Sequence, residues 1–178
     1  SRYLFTFTVR RDGSSVFGDN NKYGVFPSVA LGWNIARESF MESSSNWLNT
    51  LKLRASYGKA GNEAIGVYQS RVKMDSGMLA LGGASNDLMG NADLTWETTK
   101  SFNVGLDFGL WNNRLTGNID VYFSKTNDLL LKRNLPKVTG YNTVYSNMGE
   151  TANKGVELTL NSRNIVSGDF TWSSNLVL

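Results

Sequence analysis

Residues 51–62 read "LKLRASYGKAGN". For eight residues the chain alternates. Leu51, Leu53, Ala55 and Tyr57 fall on one face, and Lys52, Arg54, Ser56 and Gly58 on the other. Period two is the mark of a β-strand whose two faces meet different surroundings. Two cations on the second face leave two settings. One is a soluble sheet with a solvated face; the other is a barrel wall, apolar outside and wet inside. The rest of the chain weighs between them.

The chain has 178 residues, of which 40% are hydrophobic and 19% charged, so it is long enough for one domain with a core. Glycine is frequent at 18, proline scarce at 2, and aromatics make up 12%, a mix that suits long strands and polar loops. There is no cysteine and no histidine. Disulfides, thiolate metal sites, Ser-His-Asp and Cys-His catalysis are thereby removed, and most zinc sites with them. The net charge of +3 is scattered with no basic run, which argues against nucleic acid as a partner. No apolar run approaches the roughly 20 residues of a transmembrane helix. Both termini fall inside strand-like patterns, "SRYLFTFTV" and "TWSSNLVL", so the chain reads as a piece of a longer protein.

Seven strands are expected. They are "YLFTFTVR" from Tyr3, "YGVFPSVALGWNI" from Tyr23, the 51–62 stretch, "WETTKSFNVGLDFGL" from Trp96, "RLTGNIDVYFSK" from Arg114, "GVELTLN" from Gly155 and "FTWSSNLVL" from Phe170. The segment 67–81 is ambiguous, above all "GMLALGG", and "ARESFM" at 36–41 suggests one helical turn. The connections alternate in length. "WNNR" at 111–114 and "NIVSGD" at 164–169 are tight, whereas 11–22, 59–94 and 125–153 are long and polar. Short turns on one side and long loops on the other are what outer-membrane barrels show.

Two further features favour the barrel. Alternation in the second, fourth and fifth strands runs for about ten residues, the span of a tilted transmembrane strand, whereas globular strands usually stop at about five or six. Asp107 and Asp120 lie mid-strand between apolar neighbours of opposite parity. The expected lumen-lining residues are Lys52, Arg54, Asp107, Asp120 and Glu157. The expected lipid-facing residues are Phe5, Phe7, Leu31, Leu53, Val104, Leu106, Phe108, Ile119, Val121 and Leu158. Trp33 and Trp172 are expected near one membrane interface, and Tyr57 and Trp96 near the other, all on the apolar face. The same aromatics would equally serve as the core of a soluble sandwich. An odd count of seven strands with two free edges points to missing strands, because single-chain bacterial barrels close with even numbers.

Four segments resemble the C-terminal barrel half of SusC/RagA-type TonB-dependent outer-membrane transporters. They are "RRDGSSVFGDNNKYGVFPSVALGWNI", "LKLRASYGKAGN", "NADLTWETTKSFNVGLDFGLWNNRLTGNIDVYFSKTNDLLL" and "NKGVEL", in the family's order and over more than half of the chain. The resemblance implies an all-β, antiparallel up-and-down barrel of roughly 22 strands, of which residues 1–178 would be a part. It also implies an N-terminal plug, coupling to TonB and a SusD-like surface lipoprotein as lid. The cargo would be an oligomeric glycan or peptide, and the location the outer membrane of a Gram-negative bacterium, in contact with its lipids. The plug, signal peptide and remaining strands would lie outside these residues.

The short motifs carry less. "GKAGN" at 58–62 lacks the glycine spacing and the Ser/Thr of a phosphate loop, and reads as the start of a loop. "DNNKYG" at 19–24 has Tyr23 at a calcium-ligand position and Ala30 where a bidentate Glu belongs, so it reads as loop polarity. Asp107, Asp120 and Glu157 lack any histidine, metal motif or nucleophile beside them, and ion pairing with Lys52 or Arg54 in a hydrated lumen accounts for them better than catalysis. "LKRNLPKV" at 131–138 puts three cations in a long loop, where solvation suffices to explain them. The expectation is therefore a barrel-wall segment of an importer, not an enzyme, with no cofactor or metal. The alternative is a soluble antiparallel β-protein such as a surface adhesin or glycan-binding module.

Overall fold

A computed structural model describes residues 1–18, 20–66, 70–71, 73–75 and 85–178. Seven long strands form one antiparallel sheet: β1 (Tyr3–Gly13), β2 (Tyr23–Asn34), β3 (Leu48–Asn62), β6 (Glu97–Leu110), β7 (Leu115–Asn127), β10 (Glu150–Ser167) and β11 (Phe170–Val177), side by side in that order. Each neighbours its predecessor among the seven, an up-and-down meander with β1 and β11 at open edges. Four short strands make a second sheet in the order β4 (Lys73–Asp75), β5 (Ser85–Met89), β9 (Tyr141–Asn147), β8 (Leu130–Asn134). The β5–β9 pair is parallel. No helix among the described residues is long and apolar enough to cross a membrane.

The seven expected strands are the seven of the large sheet. "GVELTLN" is only the middle of β10, which runs for 18 residues because its upper part pairs with β7 from Glu150 onward. Of the ambiguous 67–81 segment, β4 is strand, while "GMLALGG" lies outside the described residues. The "ARESFM" turn is a pair of 3-10 turns, Ile35–Arg37 and Ser39–Ser44.

The tight turns set the register at one end. "WNNR" connects the paired residues Leu110 and Leu115. Trp111, Asn112 and Asn113 all take positive φ (51, 54 and 59°), which Asn tolerates and Trp rarely adopts. The strain is offset by neighbours: the Trp111 N–H donates to the Trp47 carbonyl (2.7 Å) and the Asn113 N–H to Asn49 Oδ1 (3.3 Å). Asn49 is the extra residue of a bulge in β3, between Leu48 and Thr50. A second bulge in β10, at Asn164, lies beside the two-residue turn Gly168–Asp169, where Gly168 has φ 54°. Asn164 Nδ2 donates to Ser174 Oγ (2.7 Å), and its carbonyl accepts from Arg114 (3.2 Å). The bulge shifts the phase by one residue, so Ile165 comes opposite Trp172 on the face already held by Leu158 and Leu160.

At the long-loop end, Phe17, Phe26, Leu94 and Trp96 form a buried cluster, with Ile65, Leu130 and Tyr145 packed against it. Phe26 is the one large apolar side chain of β2 whose parity places it on the polar face. Asn147 fastens the small sheet to the wall: its side chain accepts from the Thr95 N–H (2.9 Å) and donates to the carbonyls of Thr95 (2.8 Å) and Asp128 (2.9 Å). This corrects one sequence expectation. Trp96 is not an outward girdle residue; it is 7% exposed and lies against Phe17 and Phe26 at centroid distances of 5.1 and 5.4 Å. The strand begins only at Glu97, so alternation does not govern where the Trp96 ring goes.

Phe26 fits because its ring lies over Gly61 and Gly24, where added Cβ atoms would collide with it. Gly61→Ala should therefore displace a ring that is 4% exposed and hemmed in by Trp96. Overpacking of this kind costs about 1–3 kcal/mol. In the full-length protein, limited proteolysis within residues 128–149 should accelerate; an unchanged cleavage rate would mean that Phe26 does not hold the small sheet down.

Candidate functional site

Because directly paired residues of antiparallel strands share a face, the register sorts the whole sheet. One row across the wall is Phe5, Leu31, Ala55, Val104, Val121 and Val156. The next on the same face is Tyr3, Trp33, Leu53, Leu106, Ile119 and Leu158. Phe7 and Phe108 stand on this face too, in rows with Tyr57 and Leu51. All ten residues expected to face lipid thus lie on one side, and the ring of Phe108 covers Gly117 of the next strand, where a Cβ would come within 2.8 Å of it. This face is uncovered in the chain: Phe5 is 69% exposed, Val121 49% and Val156 66%.

The five residues expected on the other side are all there. A single row holds Leu4, Gly32, Arg54, Gly105, Asp120 and Glu157, and the adjacent one Asn34, Lys52, Asp107, Asn118 and Thr159. Arg54 joins two carboxylates from two further strands. Its Nε donates to both oxygens of Asp107 (3.1 and 2.9 Å), and Nη2 donates to Asp107 Oδ1 (2.8 Å) and to both oxygens of Asp120 (3.1 Å each). Asn118 Nδ2 completes Asp120 from the same strand (2.7 Å). Three strands, β3, β6 and β7, are therefore tied by one planar guanidinium whose fork suits carboxylates.

Lys52 faces Asp107 in the register, but the ion pairs go to Arg54. Glu157 faces Asp120, is exposed, and has no ion pair among the described residues. Two members of the network are not conspicuous in the sequence. Asn118 is one. Gly105 is the other: it lies under the guanidinium, and a Cβ there would collide with Asp120 Oδ1 and come within 2.6 Å of Arg54 Nη2. A glycine opposite an arginine and an aspartate on the same face is the signal that could have found it. A shallow cleft of about 300 Å³ runs along this side, lined by Thr6, Ala30, Lys52, Arg54, Ser56 and Asn103 among others. The arrangement offers charge and hydrogen bonds to water or a polar chain. Among the described residues there is no group of three or more carboxylates in metal-holding geometry.

An antiparallel meander of strands up to 18 residues long, with one polar face and one face that is apolar through its middle and bears Lys59, Lys100 and Lys125 in a row at its long-loop end, is the wall of a β-barrel. All 178 residues match the family described as "TonB dependent receptor-like, beta-barrel", and the chain belongs to that family. TonB-dependent receptor P3 of Formosa agariphila is 47% identical over 98% of this chain and 18% of its own length. TonB-dependent receptor SusC of Bacteroides thetaiotaomicron is 42% identical over 97% of this chain and 18% of its own. The RagAB peptide importer in its closed-closed state superposes with a TM-score of 0.85 at 36% identity, over 97% of this chain and 19% of that one. The siderophore receptor PirA of Pseudomonas aeruginosa, at 18% identity and a TM-score of 0.59, shares the fold. The SusC/RagA-type resemblance is thereby borne out, and the soluble-sandwich alternative set aside. The chain spans about a fifth of the length of the relatives it matches.

Replacing Arg54 should strand two carboxylates, one of them on a residue 9% exposed. Arg54→Met in the full-length barrel should cost about 1–3 kcal/mol, the range for leaving such partners unsatisfied. Adding Asp120→Asn should recover part of the loss, read as the temperature of heat-induced barrel unfolding in detergent. Equal losses in the single and double variants would show that Asp120 does not depend on Arg54.

Proposed function

We propose that residues 1–178 form part of the wall of an outer-membrane TonB-dependent importer of oligomeric glycans or peptides in a Gram-negative bacterium. The observation that carries this reading is the register. It collects ten apolar side chains from six strands on one uncovered face, and five charged ones on the other. In that setting the apolar face meets lipid, and Lys52, Arg54, Asp107, Asp120 and Glu157 line a hydrated lumen. Charged side chains on the lipid face of a barrel would be costly, whereas lumen positions tolerate them.

The whole protein would close its barrel with strands beyond these residues and carry a plug and a segment that contacts TonB. A SusD-like lipoprotein would cover the long-loop side. Two similarities support that assembly: one relative is named SusC, and a structural neighbour is described as the RagAB peptide importer. The role of these residues is then to supply wall, lumen lining and part of the outer loops, with no chemistry on the cargo.

Sidedness gives the test. The small sheet and the 128–149 connection would face outward, and the "WNNR" turn the periplasm. Cysteines introduced one at a time into the full-length protein, in a background with no other accessible thiol, should be labelled on whole cells by an impermeant maleimide at Asn142. The same reagent should leave Asn112 unlabelled until the outer membrane is permeabilised. The reverse pattern, or equal labelling of both in intact cells, would overturn the reading.

A further inference from the structure

The connection from β2 to β3 is longer than the other two at the same end of the wall. Its two 3-10 turns meet at Glu38, which is 9% exposed although it lies in a connecting segment. Its carboxylate accepts the Trp33 indole N–H (3.0 Å), with Arg2 Nη1 at 3.7 Å and the Tyr3 hydroxyl close by. The indole N–H, then the tyrosine hydroxyl, hold its pKa below the usual glutamate value. Tyr3 and Trp33 are register partners on the apolar face and stack with centroids 6.5 Å apart and planes 18° from parallel. Glu38 therefore pins the connector to the end of that face. Leu48, paired with Leu110 of the same face, is 7% exposed where Leu53 and Ile119 are 36% and 38%. The connector thus covers the face at Leu48 and leaves its middle open.

Beyond this pin the connector presents large apolar side chains to the outside: Phe40 is 64% exposed and Trp47 46%. Nothing in a solvated turn calls for them. Four of the five tryptophans of the chain, Trp33, Trp47, Trp111 and Trp172, belong to this end; only Trp96 lies at the other. Indoles gather at membrane–water interfaces, where an apolar ring and an N–H are both accommodated. Arg2 and Arg37 stand at the same end, exposed, as partners for phosphate groups.

We propose that residues 35–47 are an interfacial foot. Glu38 clamps them to Tyr3 and Trp33, and Phe40 and Trp47 enter the boundary between headgroups and acyl chains of the phospholipid leaflet on the short-turn side. The proposal rests on the wall standing in a bilayer. Lipid is the occupant because the foot continues the uncovered apolar face at the level of the exposed indoles.

The test uses the full-length protein in phosphatidylethanolamine–phosphatidylglycerol vesicles, with a single bimane-labelled cysteine at position 40, 42 or 119; 40 and 42 point to different sides of the 3-10 turn. Phospholipid brominated along its acyl chain should quench the label at 40 to an extent comparable with 119. Aqueous iodide should quench the label at 42 and spare the one at 40. Glu38→Ala should move the label at 40 from bromolipid to iodide quenching while 119 stays unchanged; Glu38→Gln, which keeps an acceptor, should restore most of the bromolipid response. A label at 40 that answers to iodide as 42 does, or to neither quencher, overturns the foot and leaves the wall reading standing. A label at 119 that bromolipid does not quench overturns the wall reading, and the foot with it. If Glu38→Ala changes nothing at 40, Glu38 is not the clamp and the proposal fails.

Discussion

Every property of this chain depends on the backbone ladder that holds seven strands in one register. Side chains alternate with period two, so a slip of one residue would move the slipped strand's whole apolar set into the polar face. Two devices prevent it. Tight turns with left-handed residues, at Trp111–Asn113 and Gly168, fix where each strand reverses. Bulges at Asn49 and Asn164 take up a residue beside those turns, and the freed asparagine side chains bond to neighbouring segments rather than to water. The Arg54 network then reads the register from the side: its guanidinium reaches Asp107 and Asp120 only if β3, β6 and β7 are aligned as they are.

The two ends of the wall are built differently. At the long-loop end, chain excursions between the wall strands fold into a small sheet with a dry cluster beneath it, so the polar face is capped there by protein. At the other end two of the three connections are tight turns, and exposed aromatics stand where the cluster would be. Among the described residues few apolar side chains are buried, and most of those gather at the long-loop end, so the wall is not stabilised like a sandwich. Its apolar face needs a medium from outside, and a barrel in lipid would supply one.

Much of this was legible in the sequence, because alternation over ten or more residues has one reading and the long strands keep it. Lys52, Arg54, Asp107, Asp120 and Glu157 could be put on one side by counting alone. The cap could not: β4, β5, β8 and β9 have three to seven residues, and the parallel β5–β9 pair joins segments more than fifty residues apart, which no local pattern announces. Trp96 shows where counting stops. It stands one residue before its strand, and a rule valid inside the ladder was carried one step beyond it. Phe26 held the missing clue, a lone large ring on a polar face with glycine at position 24 of the same strand. Which carboxylates Arg54 would choose over Lys52 was also hidden, since reach and the glycine seat at Gly105 decide it.

The central claim is that neighbouring residues of one strand live in different solvents, and Leu106 with Asp107 is the pair to ask. In the full-length protein reconstituted in bilayers, a spin label at 106 should relax strongly with lipid-soluble oxygen and weakly with a water-soluble nickel chelate. A label at 107 should show the opposite preference. Shielding of the label at 106 from both reagents would place that residue in a protein core and contradict the account.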